Sequence, residues 1–439
     1  MNADSCQSWG RYPRAHQTIK PLFWYPQRLP SAEAGQLLCH GLGRSYGDAC
    51  LNDGGTLLLT RGLDRFIEFD EHAGTLRCDA GVSLAEVLRL IVPRGWFLPV
   101  LPGTSFVTIG GAIANDIHGK NHHAVGSFGN FVRSFRLRRS NGEVLVCSKE
   151  SNRPLYFATI GGLGLTGMIE WSEIALKPVT NAWMDVETIR YQGLEEFFLL
   201  SAESEARFEY LVAWVDTSAK GKALGRGILM RGKHSTDAAL RSPQPNAGPA
   251  FDMPFDMPSF LLNPLTIRLL NSAYYRKQMR RVQSAVVPYS GFFSPLDGIG
   301  KWNRMYGKRG FLQWQCLVPK SDNIHAFSEI FSTVVRSGLA SFVSVMKTMG
   351  SIPSRGLMSF PGEGVTLALD FPNVPRSFAL LTELDELVKR AGGRIYPAKD
   401  ARMSPSHFQS FYPQWRELEA LRDPMFSSGL WRRLTGAPA

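Results

Sequence analysis

No apolar run in this chain reaches the roughly 20 residues that a membrane-spanning helix needs. The richest stretch, residues 82–101, is interrupted by Glu86, Arg89, Pro93 and Arg94, so a membrane-spanning role is not expected. Residues 1–17 lack the apolar core of a secretory signal, because Asp4, Arg11, Arg14 and His16 punctuate them, and a cytoplasmic location is the expectation. Cysteine is scarce. Cys6, Cys39, Cys50, Cys78, Cys147 and Cys316 show neither CxxC spacing nor the density of a disulfide scaffold, so they are expected to be buried thiols. Solenoid-period repeats are also missing.

With 439 residues, 44% of them hydrophobic and 20% charged, the chain can build two globular domains with a cleft between them. Its formal charge of +11 favours an anionic partner, whether nucleic acid, anionic lipid or a phosphorylated substrate. The cations are dispersed and no nucleic-acid recognition motif appears, which places a basic binding protein without catalysis lowest among the readings.

Up to about residue 179 the chain is rich in glycine and in short β-type runs. Phe135 and Leu137, then Asn141-Gly142, then Val144 and Val146 predict a hairpin with a tight Asn-Gly turn. Residues 66–69 and 75–78 predict another, turning at His72-Ala73-Gly74. Ser83 with Glu86 three residues later matches a capping box, followed by Leu84, Val87, Leu88 and Ile91 at helical spacing up to Pro93 and Gly95. Beyond residue 179, helices are predicted around Phe327, Ile330, Phe331 and Val334, ending at Gly338, and around Leu380, Leu384, Leu387 and Val388, ending at Gly392. Residues 242–258, crowded with Pro, Asn, Gly and Asp, predict a mobile surface loop. Basic and apolar residues flank it: Arg226, Arg231 and Lys233 before, Phe260 to Leu262 and Tyr274 to Arg281 after. Such a region suits a lipid tail beside anionic headgroups.

Four glycine-rich runs carry the chemistry. The first, Gly41-Leu42-Gly43-Arg44-Ser45-Tyr46-Gly47-Asp48, allows amide N–H groups to approach an anion such as a diphosphate. Its GxGxxxG spacing differs from a Rossmann turn, and an ordinary tight turn is the competing reading. The second, Pro102-Gly103-Thr104 and Thr108-Ile109-Gly110-Gly111, lets a flat cofactor lie against backbone. The third, residues 116–123, concentrates polar groups; His118 and His122 have helical zinc-pair spacing, but Gly119 and the missing HExxH glutamate argue against a metal, and none is expected. The fourth spans residues 160–169. Together they suggest one large ligand touched at several points.

The runs GLGRSYGD, PGTSFVTIGGAIANDIHGKNHHAVGSFGN and TIGGLGLTG resemble the FAD-binding domain of the vanillyl-alcohol-oxidase (PCMH) type. Together with LVAWVD, SPLDGIGKWNRMYGKRGFLQWQCLVP, GGRIYPAKDAR, FYP and WRRL, they more closely resemble the decaprenylphosphoryl-β-D-ribose 2′-oxidases over nearly the whole chain. The resemblance implies an α+β fold: a two-subdomain FAD-binding domain over residues 1–179, a substrate domain with an antiparallel sheet and flanking helices over 180–395, and a C-terminal segment, 396–439, returning to the FAD-binding domain. It implies FAD-dependent oxidation of the ribose 2′-hydroxyl of a polyprenyl-phosphoryl ribose to a 2′-keto sugar, with a separate NAD(P)H-dependent reductase completing epimerisation to arabinose. It also allows peripheral contact with the inner face of the membrane. Oxidation of a different sugar, an aldonolactone or another alcohol is the alternative.

Carried over by position, the flavin contacts are Gly41, Gly43, Arg44, Ser45, Tyr46, Gly47, Gly103, Thr108, Gly110, Gly111, Asn115, His118, Ile169 and Tyr396. Related enzymes with covalent flavin have a histidine in the first glycine motif; Arg44 stands there here, which implies non-covalent FAD. Removing a hydroxyl proton as hydride departs requires a base, and Lys399 is the first candidate, its competing reading being a solvated lysine paired with Asp400. Tyr46, His118 and Lys120 are candidates for proton transfer, orientation or phosphate contact. Gln313 and Gln315 alternate on a probable strand and would line the sugar pocket, with Lys347 meeting the phosphate. Actinobacterial members carry a cysteine at the position of Ala368.

Overall fold

The computed structural model describes residues 6–30, 36–240, 249–320 and 323–436. Three short strands, Thr18–Pro21, Thr56–Leu59 and Leu37–His40, pair in parallel with Thr56–Leu59 in the centre. Leu57 and Leu58 are completely buried there, as residues of a parallel sheet covered on both faces must be.

A second, five-stranded sheet runs in the order Phe66–Asp70, Thr75–Asp79, Met168–Ala175, Val132–Arg138, Val144–Ser148, with every pairing antiparallel. Both expected hairpins are present, but one turn differs from expectation. Asn141 does not adopt a positive φ; Gly142 alone does, at 93°, and its amide donates to Arg139 O at 3.1 Å. The Asn141 carboxamide is instead spent on the backbone, accepting from Glu143 N at 3.0 Å, and a longer connection results. The helix Leu84–Ile91 begins with the expected capping box: Ser83 Oγ accepts from Glu86 N at 3.2 Å, and Glu86 Oε2 accepts from Ser83 N at 2.7 Å. Left-handed Gly95 follows its last turn.

The third sheet has eight antiparallel strands in the order Val282–Pro288, Trp183–Tyr191, Gly227–His234, Tyr210–Val215, Ser344–Met349, Gly364–Pro372, Phe311–Val318, Arg394–Ile395. Side chains alternate across it with period two. One face sends Leu312, Trp314, Cys316, Leu367 and Leu369 into a core shared with Phe327, Ile330 and Phe331 of the helix Asn323–Ser337 and Leu380, Leu384 and Val388 of the helix Pro375–Arg390. The register sets Gln313 opposite Asp370, Gln315 opposite Ala368 and Lys347 opposite Thr366 on the other face. That polar face is where the site forms.

Two expectations need correction. Of the proposed loop, residues 241–248 lie outside the described residues, and Phe251–Asp252 is not loop but a short strand parallel to Ile299–Gly300, a long-range pairing that local composition cannot report. Among the thiols, Cys6, Cys78, Cys147 and Cys316 are buried, whereas Cys39 and Cys50 are only partly so. No helix among the described residues is long and apolar enough to cross a membrane.

The chain after residue 395 closes on its beginning. Tyr46 N donates to Ala398 O at 2.9 Å, Gly429 N to Leu51 O at 2.8 Å, and Leu37 N to Met425 O at 2.6 Å. A Cβ on Gly47 would collide with the carbonyl of Asp400, so glycine is what lets the first glycine run lie against the segment carrying Lys399.

Candidate active site

On the polar sheet face, Gln313 Nε2 donates to Asp370 Oδ1 at 2.5 Å, Tyr306 Oη to Asp370 Oδ2 at 3.4 Å, and Asp370 N to Ser341 Oγ at 2.8 Å. Gln315 Nε2 reaches Thr366 Oγ1 at 3.0 Å and His118 Nε2 at 3.0 Å, tying the strand Phe311–Val318 to the third polar run. Lys347 Nζ lies 2.6 Å from His118 Nδ1 and donates to Gly119 O at 2.6 Å. Lys399 Nζ sits 3.8 Å above the ring of Tyr46, a cation–π contact. Tyr396 ties the elements together: its N donates to Gln315 O at 2.9 Å and its hydroxyl to Asn115 O at 2.8 Å.

Burial governs the charges. It pushes Lys120 down to about 7, and Lys347 down to about 7 with further help from the charges of Lys120 and Lys399. Lys399 and Asp370 form a coupled pair: burial lowers the lysine and raises the carboxyl, while each opposes this through its attraction for the other. Burial and then Asp370 raise the Tyr46 phenol, keeping it protonated. His118 is held well below its ordinary value by burial, then by Lys347, His122 and Lys399, so it is neutral. A neutral imidazole has one donor and one acceptor. Its N–H therefore points either at Gln315, with that amide turned to present Oε1, or at the lone pair of a neutral Lys347.

The nucleotide side is built from the first two glycine runs. Arg44 is stacked 4.0 Å from the ring centroid of Trp9 and 5.3 Å from that of Phe106; burial lowers its pKa, and its Nε is buried without a partner. Around Gly103 the space is open, with nothing within 4 Å of where a Cβ would stand. A buried cation with an unspent N–H inside the first glycine run fits the diphosphate of FAD. Gly110 and Gly111 have their amides engaged within the fold. Their amides are already given to Ala80 O at 2.8 Å and Thr108 Oγ1 at 3.2 Å, and a Cβ on Gly110 would press within 3.1 Å of Ala80. Their lack of a side chain lets the helix Ile109–Ala114 pack closely on Ala80. The fourth run behaves likewise, Gly161 N donating to Ile113 O at 2.9 Å. Replacing Arg44 with Ala is expected to weaken FAD retention about 10- to 100-fold, the range for losing a charged hydrogen bond; equilibrium dialysis of the variant against free FAD measures it.

The structure thus brings together Tyr46, His118, Gln313, Gln315, Lys347, Tyr396 and Lys399. Lys120 is turned aside, its Nζ donating to Phe292 O and lying 4.5 Å from that ring. Ile169 is a buried strand residue paired with Leu137. Asp400 is not the partner of Lys399: Arg433 and the amides of Arg402 and Met403 occupy it. His122 has both ring nitrogens buried without a partner and is lowered to about 3, by burial first and then by Lys347. Among the described residues no three His, Cys, Asp or Glu side chains gather as metal ligands. Asp370 was missed, although Thr366, Ala368 and Asp370 alternate with Val365, Leu367, Leu369 and Phe371 in a readable period of two. Trp9 and Phe106, which clamp Arg44, left no sequence signal.

A buried Arg44 with a free Nε–H in a glycine-rich run, next to a polar sheet face carrying lysines and amides, fits an FAD-dependent oxidoreductase, and comparison with known proteins agrees. Residues 28–148 match the FAD binding domain family. The chain is 38% identical over 411 residues, 91% of its length and 89% of the relative's, to decaprenylphosphoryl-β-D-ribose oxidase of Mycolicibacterium smegmatis. It is 33% identical over 377 residues, 80% of its length and 100% of the relative's, to an uncharacterized protein from the mprA 5′ region of Streptomyces coelicolor. A shorter match, 28% identity over 112 residues, 26% of this chain and 22% of the relative, joins it to the Δ(24)-sterol reductase of Homo sapiens. The chain belongs to the decaprenylphosphoryl-β-D-ribose oxidase family.

Proposed function

We propose that this enzyme oxidises the 2′-hydroxyl of a polyprenyl-phosphoryl-β-D-ribose to the 2′-keto sugar, the first half of an epimerisation yielding an arabinose donor. The observation that carries the proposal is the composition of the pocket. Lys347 and Lys399, with Lys120 close enough to lower Lys347, outnumber the single carboxylate Asp370 and stand beside two amides. A phosphate anion entering the pocket would draw Lys347 into its protonated form while Lys399 remains the neutral amine, and the amides suit the hydroxyls of a sugar. The near full-length relation to an oxidase of that substrate supports the same choice.

Bound FAD supplies a two-electron hydride acceptor. Lys399, as the neutral amine, takes the hydroxyl proton onto Nζ while the oxygen's freed electron pair forms the carbonyl and hydride leaves C2′. Tyr46 fixes the amine from below, Gln313 and Gln315 orient the sugar, and Lys347 holds the phosphate. FAD is bound without a covalent link, Arg44 replacing the attachment histidine of related enzymes. The domains divide at residues 179 and 395. A separate NAD(P)H-dependent reductase consumes the keto sugar, and the enzyme works against the inner face of the membrane. Trapping the product with borodeuteride should place deuterium at C2 of the pentose; label elsewhere, or none, contradicts the proposal.

Asp370 is a positioning residue, acting through the charge it presents to Lys399. Its carboxylate holds the lysine up, so Asp370→Asn should lower the Lys399 pKa further. Because the neutral amine is the active form, the rising limb of the pH profile for substrate-driven flavin reduction should move to lower pH. A lower rate at every pH with an unmoved limb would show a merely structural role.

A further inference from the structure

We infer that the helix Pro264–Lys277, together with an arginine-lined cavity at its C-terminal end, is a docking face for an anionic phospholipid surface. The inference rests on reading the substrate as lipid-linked, but it is tested without that substrate.

Within this helix only Ile267 and Asn271 are buried. Leu265, Leu269 and Leu270 are 65%, 62% and 44% exposed, and Phe260 and Met279 at either end are 72% and 84% exposed. An apolar stripe of this size left in water needs a partner. Charge selects which kind: residues 257–296 contain no Asp or Glu at all, yet hold Arg268, Arg276, Lys277, Arg280 and Arg281. Among the described residues no carboxylate pairs with Arg268, Arg276, Lys277 or Arg280. Leucines interleaved with unpaired cations are the signature of a helix lying in the plane of an anionic bilayer. Arg231, which the sequence grouped with them, is instead satisfied internally by Glu187 at 2.8 Å.

Beside the helix end, a cavity of about 330 Å³ is lined by Arg190, Gln192, Arg226, Tyr275, Arg276 and Arg281. Two carboxylates face these four guanidinium groups, Asp216 at 2.8 Å from Arg226 and Glu196 at 2.6 Å from Arg281. The excess positive charge fits one phosphate headgroup. The same helix is anchored toward the site. Asn271 Nδ2 donates to Ser341 O at 3.2 Å, and Ser341 Oγ accepts from Asp370 N at 2.8 Å. Just before the helix, Leu262 packs on the cluster of Tyr46, Trp302, Tyr306 and Phe311. A substrate carried in the bilayer would therefore meet the sugar pocket next to the docking face.

Flotation of the FAD-loaded protein with phosphatidylcholine vesicles, with and without phosphatidylglycerol, tests this. Wild type should float only with the anionic vesicles and be released by salt. Arg276→Gln with Arg280→Gln should weaken partition about 30-fold, from roughly a fivefold loss per cation. Leu265→Ser with Leu269→Ser should weaken it about tenfold or more. Both pairs should keep normal flavin content and normal flavin reduction by a short-chain soluble substrate. The inference is overturned if wild type ignores anionic vesicles, if both double variants float like wild type, or if inorganic diphosphate or an acidic protein binds the face while vesicles do not. Flotation without oxidation of the ribosyl lipid would leave the docking face standing and remove the proposed substrate.

Discussion

Replacing Lys399 with Ala is expected to leave FAD bound and to slow substrate-driven flavin reduction by about 10²- to 10⁴-fold, the usual contribution of a positioned base. Burial lowers the amine while the Asp370 charge opposes this, and its Nζ lies 3.8 Å from the ring of Tyr46, whereas the Nζ groups of Lys120 and Lys347 are engaged by Phe292 O and Gly119 O. Asp400, which might have neutralised it, is held by Arg433 at 2.8 Å. Lys399→Arg separates the two roles the lysine can have. A guanidinium keeps the positive charge but does not deprotonate at working pH, so it should fail as fully as alanine if the group is a base. If the charge alone matters, arginine should restore most of the rate. Anaerobic stopped-flow absorbance reads both variants, and an undiminished rate in Lys399→Ala would remove the residue from the mechanism.

The second large effect is on stability. Arg433 reaches Asp48 Oδ1 and Asp400 Oδ2, each at 2.8 Å, with its side chain 27% exposed and theirs 7% and 2%. It thereby fastens the first glycine run to the segment that carries Lys399. Arg433→Ala leaves two buried carboxylates without their cation, at a cost of about 3–5 kcal/mol. The sign with pH follows from the two acids. Burial acts to raise Asp400, but the charges of Arg433 and Arg402 and the hydrogen bonds it accepts outweigh this, and its carboxyl is held below the ordinary carboxylate range. Its contribution is thus present above the ordinary carboxylate pKa and lost as pH falls through the depressed value. Burial raises Asp48 despite Arg433. In the variant both carboxyls lose the Arg433 charge and rise, Asp400 keeping only Arg402 and its backbone donors, so the deficit should be largest near neutrality and shrink in acid as both carboxyls protonate. Denaturant midpoints across pH test this. Equal midpoints at pH 7, or a gap that persists in acid, would show that the bridge contributes little.

Much of this was legible in the residues. Ser83 and Glu86 announce a helix start through local bonds alone, and Gly338 and Gly392 announce helix ends. The alternation in Phe311–Val318 puts Gln313 and Gln315 on one face whatever the tertiary setting. What stayed hidden depends on which of several available contacts each group makes, some local and others distant in sequence. Asn141-Gly142 looks like a tight turn until its carboxamide is seen on Glu143 N. Gly110 and Gly111 read as a place of close approach, but nothing in the run itself tells that Ala80 and Thr108 take their amides. Asp370 becomes functional only because Gln313 and Tyr306 are brought to it, and Lys120 loses its expected outlook because Phe292 O is within reach.

The most direct measurement is anaerobic titration of the yellow holoprotein with polyprenyl-phosphoryl-β-D-ribose, its 2′-deoxy analogue, free ribose and an aldonolactone, followed by flavin absorbance. Bleaching by the ribosyl lipid and by none of the others is the expected result. A flavin left oxidised by the ribosyl lipid but bleached by the lactone or the free sugar would contradict it.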